Sequence, residues 1–253
     1  MVQAFKIAAA SHLPGIDDLL RPLLLDFFKL VSDPDVNVRR IALVTFNSAV
    51  HNKPHLVKPI LEQVLPMLYH ETNVRKEHLR KVQLGMFTET FDDGLDARKT
   101  AFECLFTVLE RCYDFLTIPE YIREVSKGLA DKHDIQVLVH LCLLEIRQRS
   151  PSCIKDAMRD LTGYFKKILD EKPKKADVRV HIEKREDRKK AVCRSVKAFM
   201  SIEGAESIES LAILVRQIQG DPTLAEFYGD SDVERVGSGG RTASGGAAAM
   251  EMA

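Results

Sequence analysis

Asp92 and Asp93, two carboxylates in succession, are the residues of this sequence that look most like catalytic machinery. Such a pair can divide into a general acid and a general base where the surroundings push the two pKa values apart. These two stand directly before a helical stretch, however, where capping of free amides and the helix dipole account for them. His51 and His55 stand four apart, the spacing of two ligands on one helix face, but Pro54 lies between them and breaks that geometry. No HExxH occurs among the eight histidines. Serine, cysteine and histidine are all present, yet no local motif joins a nucleophile to a base. No phosphate-cradling GxxxxGKS/T run occurs, and the glycine-rich stretch from Gly237 to Gly246 has no strand before it. The expectation is a protein without a catalytic site, cofactor or metal.

Charge and composition point the same way. Lysine plus arginine equal aspartate plus glutamate at 37 each, so there is no global pull toward nucleic acid or an anionic membrane. Glu183 to Lys190 mixes both signs at helical spacing, the pattern of a solvated face. No apolar run approaches the roughly 18 residues of a membrane-spanning helix. The start, MVQAFKIAAASHLPG, lacks the flanks of a signal peptide. Cys104, Cys112, Cys142, Cys153 and Cys193 form no CxxC and fall on apolar stripes or at a helix start. A reducing compartment, cytoplasm and nucleus, is expected.

The elements that carry these residues are helices. Leu19, Leu20, Leu23, Leu24, Phe27, Phe28 and Val31 recur at three and four and stop at Ser32-Asp33-Pro34. Asp33 suits an N-cap there and Pro34 the first position of the next helix, which carries Val38, Ile41, Ala42, Thr45, Phe46 and Ala49. The same two-helix pattern returns at a period of about 40 to 50 residues, the mark of HEAT or armadillo arrays. Asp35-Val36-Asn37-Val38-Arg39-Arg40-Ile41-Ala42 aligns with Gly94-Leu95-Asp96-Ala97-Arg98-Lys99-Thr100-Ala101. Arg39, Arg40, Arg98 and Lys99 either line one exposed ridge or form ladders with aspartates inside the repeats. The predicted fold is all-α, a HEAT/armadillo-like α-solenoid of about four helix pairs over residues 1–228, followed by a disordered tail over residues 229–253.

One segment breaks the helical period. Lys81 to Phe91 alternates and is rich in strand formers, with Gly85-Met86 suited to the centre of a type II′ turn. Pairing outward from that turn sets Leu84 against Phe87, Val82 against Glu89 and Arg80 against Phe91. A β-hairpin over about residues 78–92 results, with Val82, Leu84, Phe87 and Phe91 on one face. That face either folds back on its own repeat or projects and inserts into a partner. The partner-binding candidates are Val82, Leu84, Gly85, Met86, Phe87 and Phe91.

The run from Asp33 to Glu77, with Asp92 to Phe106 and the later GLADKHDIQVL, resembles the C-terminal end of the cullin-associated, neddylation-dissociated proteins. The resemblance covers roughly residues 15–228 and is looser after Ser150. It implies a HEAT solenoid that binds the cullin–RING ubiquitin ligase scaffold in its unmodified state, near the end where adaptors dock. It further implies that the hairpin competes with the substrate-receptor adaptor and so promotes exchange of substrate-receptor modules. Members of the family are several times longer, so a separate chain supplying the N-terminal repeats is one expected partner. Without the resemblance, the same residues describe a generic HEAT-repeat adaptor for another helical protein, and dependence on the hairpin separates the two.

Overall fold

The computed structural model describes residues 2–11, 13–84, 87–173 and 179–230; of the tail expected over 229–253, Gly229 and Asp230 instead end the last helix, and residues from 231 onward lie outside the described residues, as do Gly85 and Met86. Helices α1 (Val2–Ala10) and α2 (Ile16–Leu20) lead into a run of helix pairs. The pairs are α3 (Leu24–Phe28) with α4 (Val36–Asn52), and α5 and α6 (Pro54–Val57 and Leu61–Glu71) with α7 (Leu95–Arg111). Next come α8 (Ile118–Ser126) with α9 (His133–Arg149), α10 (Pro151–Leu169) with α11 (Arg179–Met200), and α12 (Glu209–Gly220) with α13 (Pro222–Asp230). Strands β1 (Leu79–Leu84) and β2 (Phe87–Asp92) interrupt the second pair.

Second helices stack on second helices: α4 on α7, α7 on α9, α9 on α11 and α11 on α13. First helices form the other row, with α10 between α8 and α12. No single pair covers its own apolar stripe, so each buries it on both neighbours and the core runs the length of the stack. Phe28, Phe46, Phe102, Leu105, Phe165 and Phe199 are fully buried along it. The molecule is thus the expected all-α solenoid of HEAT/armadillo type with an inserted hairpin. After the four expected pairs, α12 and α13 continue both rows, and Leu224 of α13 is buried against the end of the core.

Prolines set the joints. Pro54, Pro119, Pro151 and Pro222 fall in the first turn of α5, α8, α10 and α13, where an amide has no partner inside the helix. Pro59 instead sits in the 3-10 turn Lys58–Ile60 that separates α5 from α6. The start of α4 differs from expectation. The helix opens at Val36, capped by the Asp35 carboxylate, which accepts from the Asn37 amide at 2.8 Å. A local side-chain contact accounts for it: the Arg39 guanidinium donates to the Asp33 and Pro34 carbonyls at 2.7 and 3.2 Å and holds that turn open.

Candidate partner-binding site

The two arginines aligned in sequence occupy one position, the first turn of a second helix, and both are buried. Arg39 Nε lies 3.0 Å from Glu71 Oε2 at the end of α6. Arg98 makes four hydrogen bonds, two to Asp92 at 3.1 and 2.8 Å and two to Asp131 at 2.9 Å each. Burial alone would lower the Arg98 pKa, but the hydrogen bonds it donates to Asp131 and Asp92 outweigh it and raise it, so the guanidinium stays charged. In α9 the same position holds Gln136, whose amide donates to the Leu129 and Asp131 carbonyls at 2.9 and 3.0 Å. The two arginines therefore join the first pair to the second and the second to the third, since Glu71 and Asp131 belong to the joint of the following pair, whereas Gln136 bonds within its own. Arg40 is exposed, and Lys99, half-buried, reaches Asp134 at 3.5 Å.

Asp92 links this ladder to the hairpin. It is the last residue of β2, and its Oδ1 also accepts from the Gly94 amide at 3.1 Å. Asp93 pairs with Arg80 across the base, at 3.0 and 3.1 Å, and each holds the other charged: the Asp93 pKa falls and the Arg80 pKa rises. These ion pairs, rather than capping alone, account for the two adjacent carboxylates. His78 completes the base: its carbonyl accepts from the Asp93 amide at 3.0 Å, and its Nε2 accepts from Arg39 at 2.7 Å. Gly94 packs closely there: a Cβ would stand 3.1 Å from the His78 ring, which would have to shift by a few tenths of an ångström. The hairpin root is thus fixed to α4 through Arg39 and to α7 through Arg98.

Beyond the root the strands pair with each other and, among the described residues, make only marginal contact with any helix. The observed register sets Leu84 opposite Phe87, Val82 opposite Glu89 and Arg80 opposite Phe91, as the centring of the turn on Gly85-Met86 predicts. Phe91 is 40% exposed, with the Arg80 guanidinium 5.7 Å from its ring centroid, and Val82 is half-buried. Leu84 and Phe87 hold the last described backbone positions on the two strands, and Gly85 and Met86 lie outside the described residues. The structure gives the backbone register alone for Leu84 and Phe87; Val82 and Phe91, on paired strands two and four positions further from the turn, hold register positions of one face.

The other candidate residues separate. His55 Nε2 is 2.7 Å from Asp17, whose pKa is lowered by Lys53 and then by His55. His51 faces Arg111 at 3.4 Å. Among the described residues no cluster of three or more metal-ligating side chains forms, and no helix is long and apolar enough to cross a membrane. Sequence reasoning missed Asp131 and His78 as ladder and root residues. Asp131 stands 33 positions from Arg98, and only its place before the α9 joint marks it.

A stack of helix pairs joined by an internal ionic ladder, with one hairpin inserted at a joint, defines an α-solenoid of HEAT/armadillo type. The fold alone is matched by the crystal structure of an engineered protein, at a TM-score of 0.51 and 10% identity, covering 90% of this chain and 87% of that one. The family described as TIP120, TATA-binding protein interacting (TIP20), matches residues 56–227. Cullin-associated NEDD8-dissociated protein 2 of Rattus norvegicus is 36% identical over 228 residues, 90% of this chain and 18% of the relative. Cullin-associated NEDD8-dissociated protein 1, C-terminal part, of Emericella nidulans is 32% identical over 188 residues, 74% of this chain and 18% of that relative. The chain belongs to the cullin-associated, neddylation-dissociated protein family and matches its C-terminal region. It spans about a fifth of the length of the curated relatives it matches.

Proposed function

We propose that this chain is a non-catalytic cullin-binding module that engages the unmodified cullin–RING scaffold near the adaptor-docking end, in cytoplasm and nucleus. The hairpin acts there as a wedge that competes with the substrate-receptor adaptor and speeds exchange of receptor modules. The observation that supports the reading is a ribbon rooted by buried ion pairs whose described residues beyond the root make only marginal contact with any helix. A rigid root lowers the entropy lost when the tip docks, so more of the contact energy appears as binding. A ternary complex with adaptor and wedge both partly engaged lowers the barrier to adaptor release. By linkage, the adaptor weakens this chain's hold by the same free energy.

The test follows a fluorescent adaptor leaving an unmodified cullin–RING complex, with N-terminal repeats supplied as a separate chain in a parallel arm. The intact chain is expected to accelerate release, and a form with residues 82–91 replaced by a short Gly-Ser loop is not. Equal acceleration by both forms would remove the hairpin from the mechanism. No effect in either arm would refute exchange activity and leave a helical-repeat binder of other partners.

A further inference from the structure

The first-helix row carries a second candidate surface, remote in sequence from the hairpin. Between α8 and α10 runs an open groove of about 510 Å³. It extends from Cys153 to Lys167, roughly four turns or about 20 Å of helix. Its floor is apolar: Ile122 from α8, with Leu161, Ala157 and Tyr164 from α10. Along the α10 wall, Asp156 and Asp160 stand four residues apart, both exposed and neither with a hydrogen bond or ion pair to another described residue. Opposite them, Arg123 is already held by Glu120 and Glu124 at 3.6 and 3.3 Å and so does not neutralise that wall. Lys167, at the far end, lies against the Tyr164 ring instead. Ser126, 5% exposed, lines the groove with a hydroxyl that has no hydrogen-bond partner among the described residues. A buried hydroxyl without a partner in the chain is uncommon, and it leaves a hydrogen-bonding group at the groove wall for a water or an incoming side chain.

From this arrangement we infer that the α8/α10 groove docks a basic amphipathic helix of a partner protein. The length and apolar floor suit a helix laid in a groove with anchors at i, i+3, i+4 and i+7. Carboxylates one turn apart match lysines or arginines at the same four-residue spacing on the incoming helix. Two carboxylates without further ligands do not make a metal site, and an acidic or neutral helix leaves both charges unmatched.

The probe is a fluorescein-labelled helical peptide of about fifteen residues, with leucines on one face and lysines at i and i+4 beside it. It is titrated by anisotropy with the full chain, with an Asp156→Lys/Asp160→Lys form and with Ala157→Phe, which fills the floor. The intact chain is expected to bind, and both variants to bind about tenfold or more weakly, the first through like-charge repulsion and the second through lost room. A peptide carrying glutamate in place of lysine is expected not to bind. Should the double lysine form fail to fold by circular dichroism, Asp156→Asn/Asp160→Asn carries the same test. Failure of the intact chain to bind, or equal binding by intact and charge-altered chains, overturns the inference. A concentration-dependent dimer that Ala157→Phe abolishes also overturns it, giving the groove to a second copy of this chain.

Discussion

Arg98→Met is the substitution that most directly weighs the ionic ladder against the apolar core. Methionine fills much of the slot, so the packing loss is small and the change is mainly in charge. What remains is a pair of carboxylates, Asp92 and Asp131, whose side chains are 9% and 8% exposed and which lose their shared partner. Breaking a buried ion pair by removing one member costs about 3–5 kcal/mol. At roughly 2–4 °C per kcal/mol for a chain of this size, the melting temperature should fall by about 10 °C. Arg98→Lys should recover little, because an ammonium cannot present the fork that spans both carboxylates. Arg98→Met with Asp92→Asn and Asp131→Asn should regain about half of the loss or more, since no charge is then left buried. Urea unfolding followed by far-UV circular dichroism reads all three. A loss below about 1 kcal/mol for Arg98→Met would refute the reasoning and give the stack to apolar packing alone.

His140 is fully buried against Phe165, and burial and then Arg194 lower its pKa to about 3. The unfolded chain takes up this proton near pH 6.5 while the folded chain does not, so stability falls as pH drops from 6.5 toward 3. Between pH 7 and pH 5 the contribution is about 2 kcal/mol, and His140→Gln should remove that part of the slope in unfolding measured across pH. Gly128→Ala brings a Cβ to 2.6 Å from Phe102 Cζ and 2.8 Å from Val139, so a loss of about 1–3 kcal/mol is expected on thermal melting. Leu84→Ala with Phe87→Ala should leave the melting temperature within a few degrees of the parent while slowing adaptor displacement; a large loss of stability would show the tip packed on the body. Burial pushes the Cys142 and Cys193 thiols up to about 12 and about 11, and Cys104 and Cys112 upward as well. Cys153 should therefore react first with a disulfide reagent in the native chain, the others only on unfolding.

Most of the architecture was legible because it rests on local signals. The three-four recurrence of Leu and Phe marks the buried stripes, and the prolines mark the joints between them. The hairpin register was legible for a similar reason: a turn centred on Gly85-Met86 leaves no freedom in which residue faces which, and the ribbon follows it. What escaped depends on particular side-chain contacts, some of them between distant positions. The opening of α4 moved to Val36 because Arg39 reaches back for the Asp33 and Pro34 carbonyls, which propensity cannot anticipate. The partners of Arg98 were seen only as a general alternative, ladders with aspartates within a repeat, and Asp131 comes from the next one. The α8/α10 groove left no trace in sequence. Its walls are ordinary amphipathic helices, and the gap exists only once the two are placed side by side.

The root of the hairpin has a mechanical consequence. Because His78 is held by Arg39 of α4 and Asp92 by Arg98 of α7, the ribbon is clamped to two successive repeats at once. Six residues of strand at about 3.4 Å each carry Leu84, the last described position of β1, roughly 20 Å from that clamp. A twist of about 5° between α4 and α7, shared by the clamp, would sweep the tip through about 2 Å at that radius. The ribbon is then a pointer on the solenoid's pitch: a body wound more tightly around its partner aims the tip elsewhere than a relaxed one, with no change in the hairpin itself.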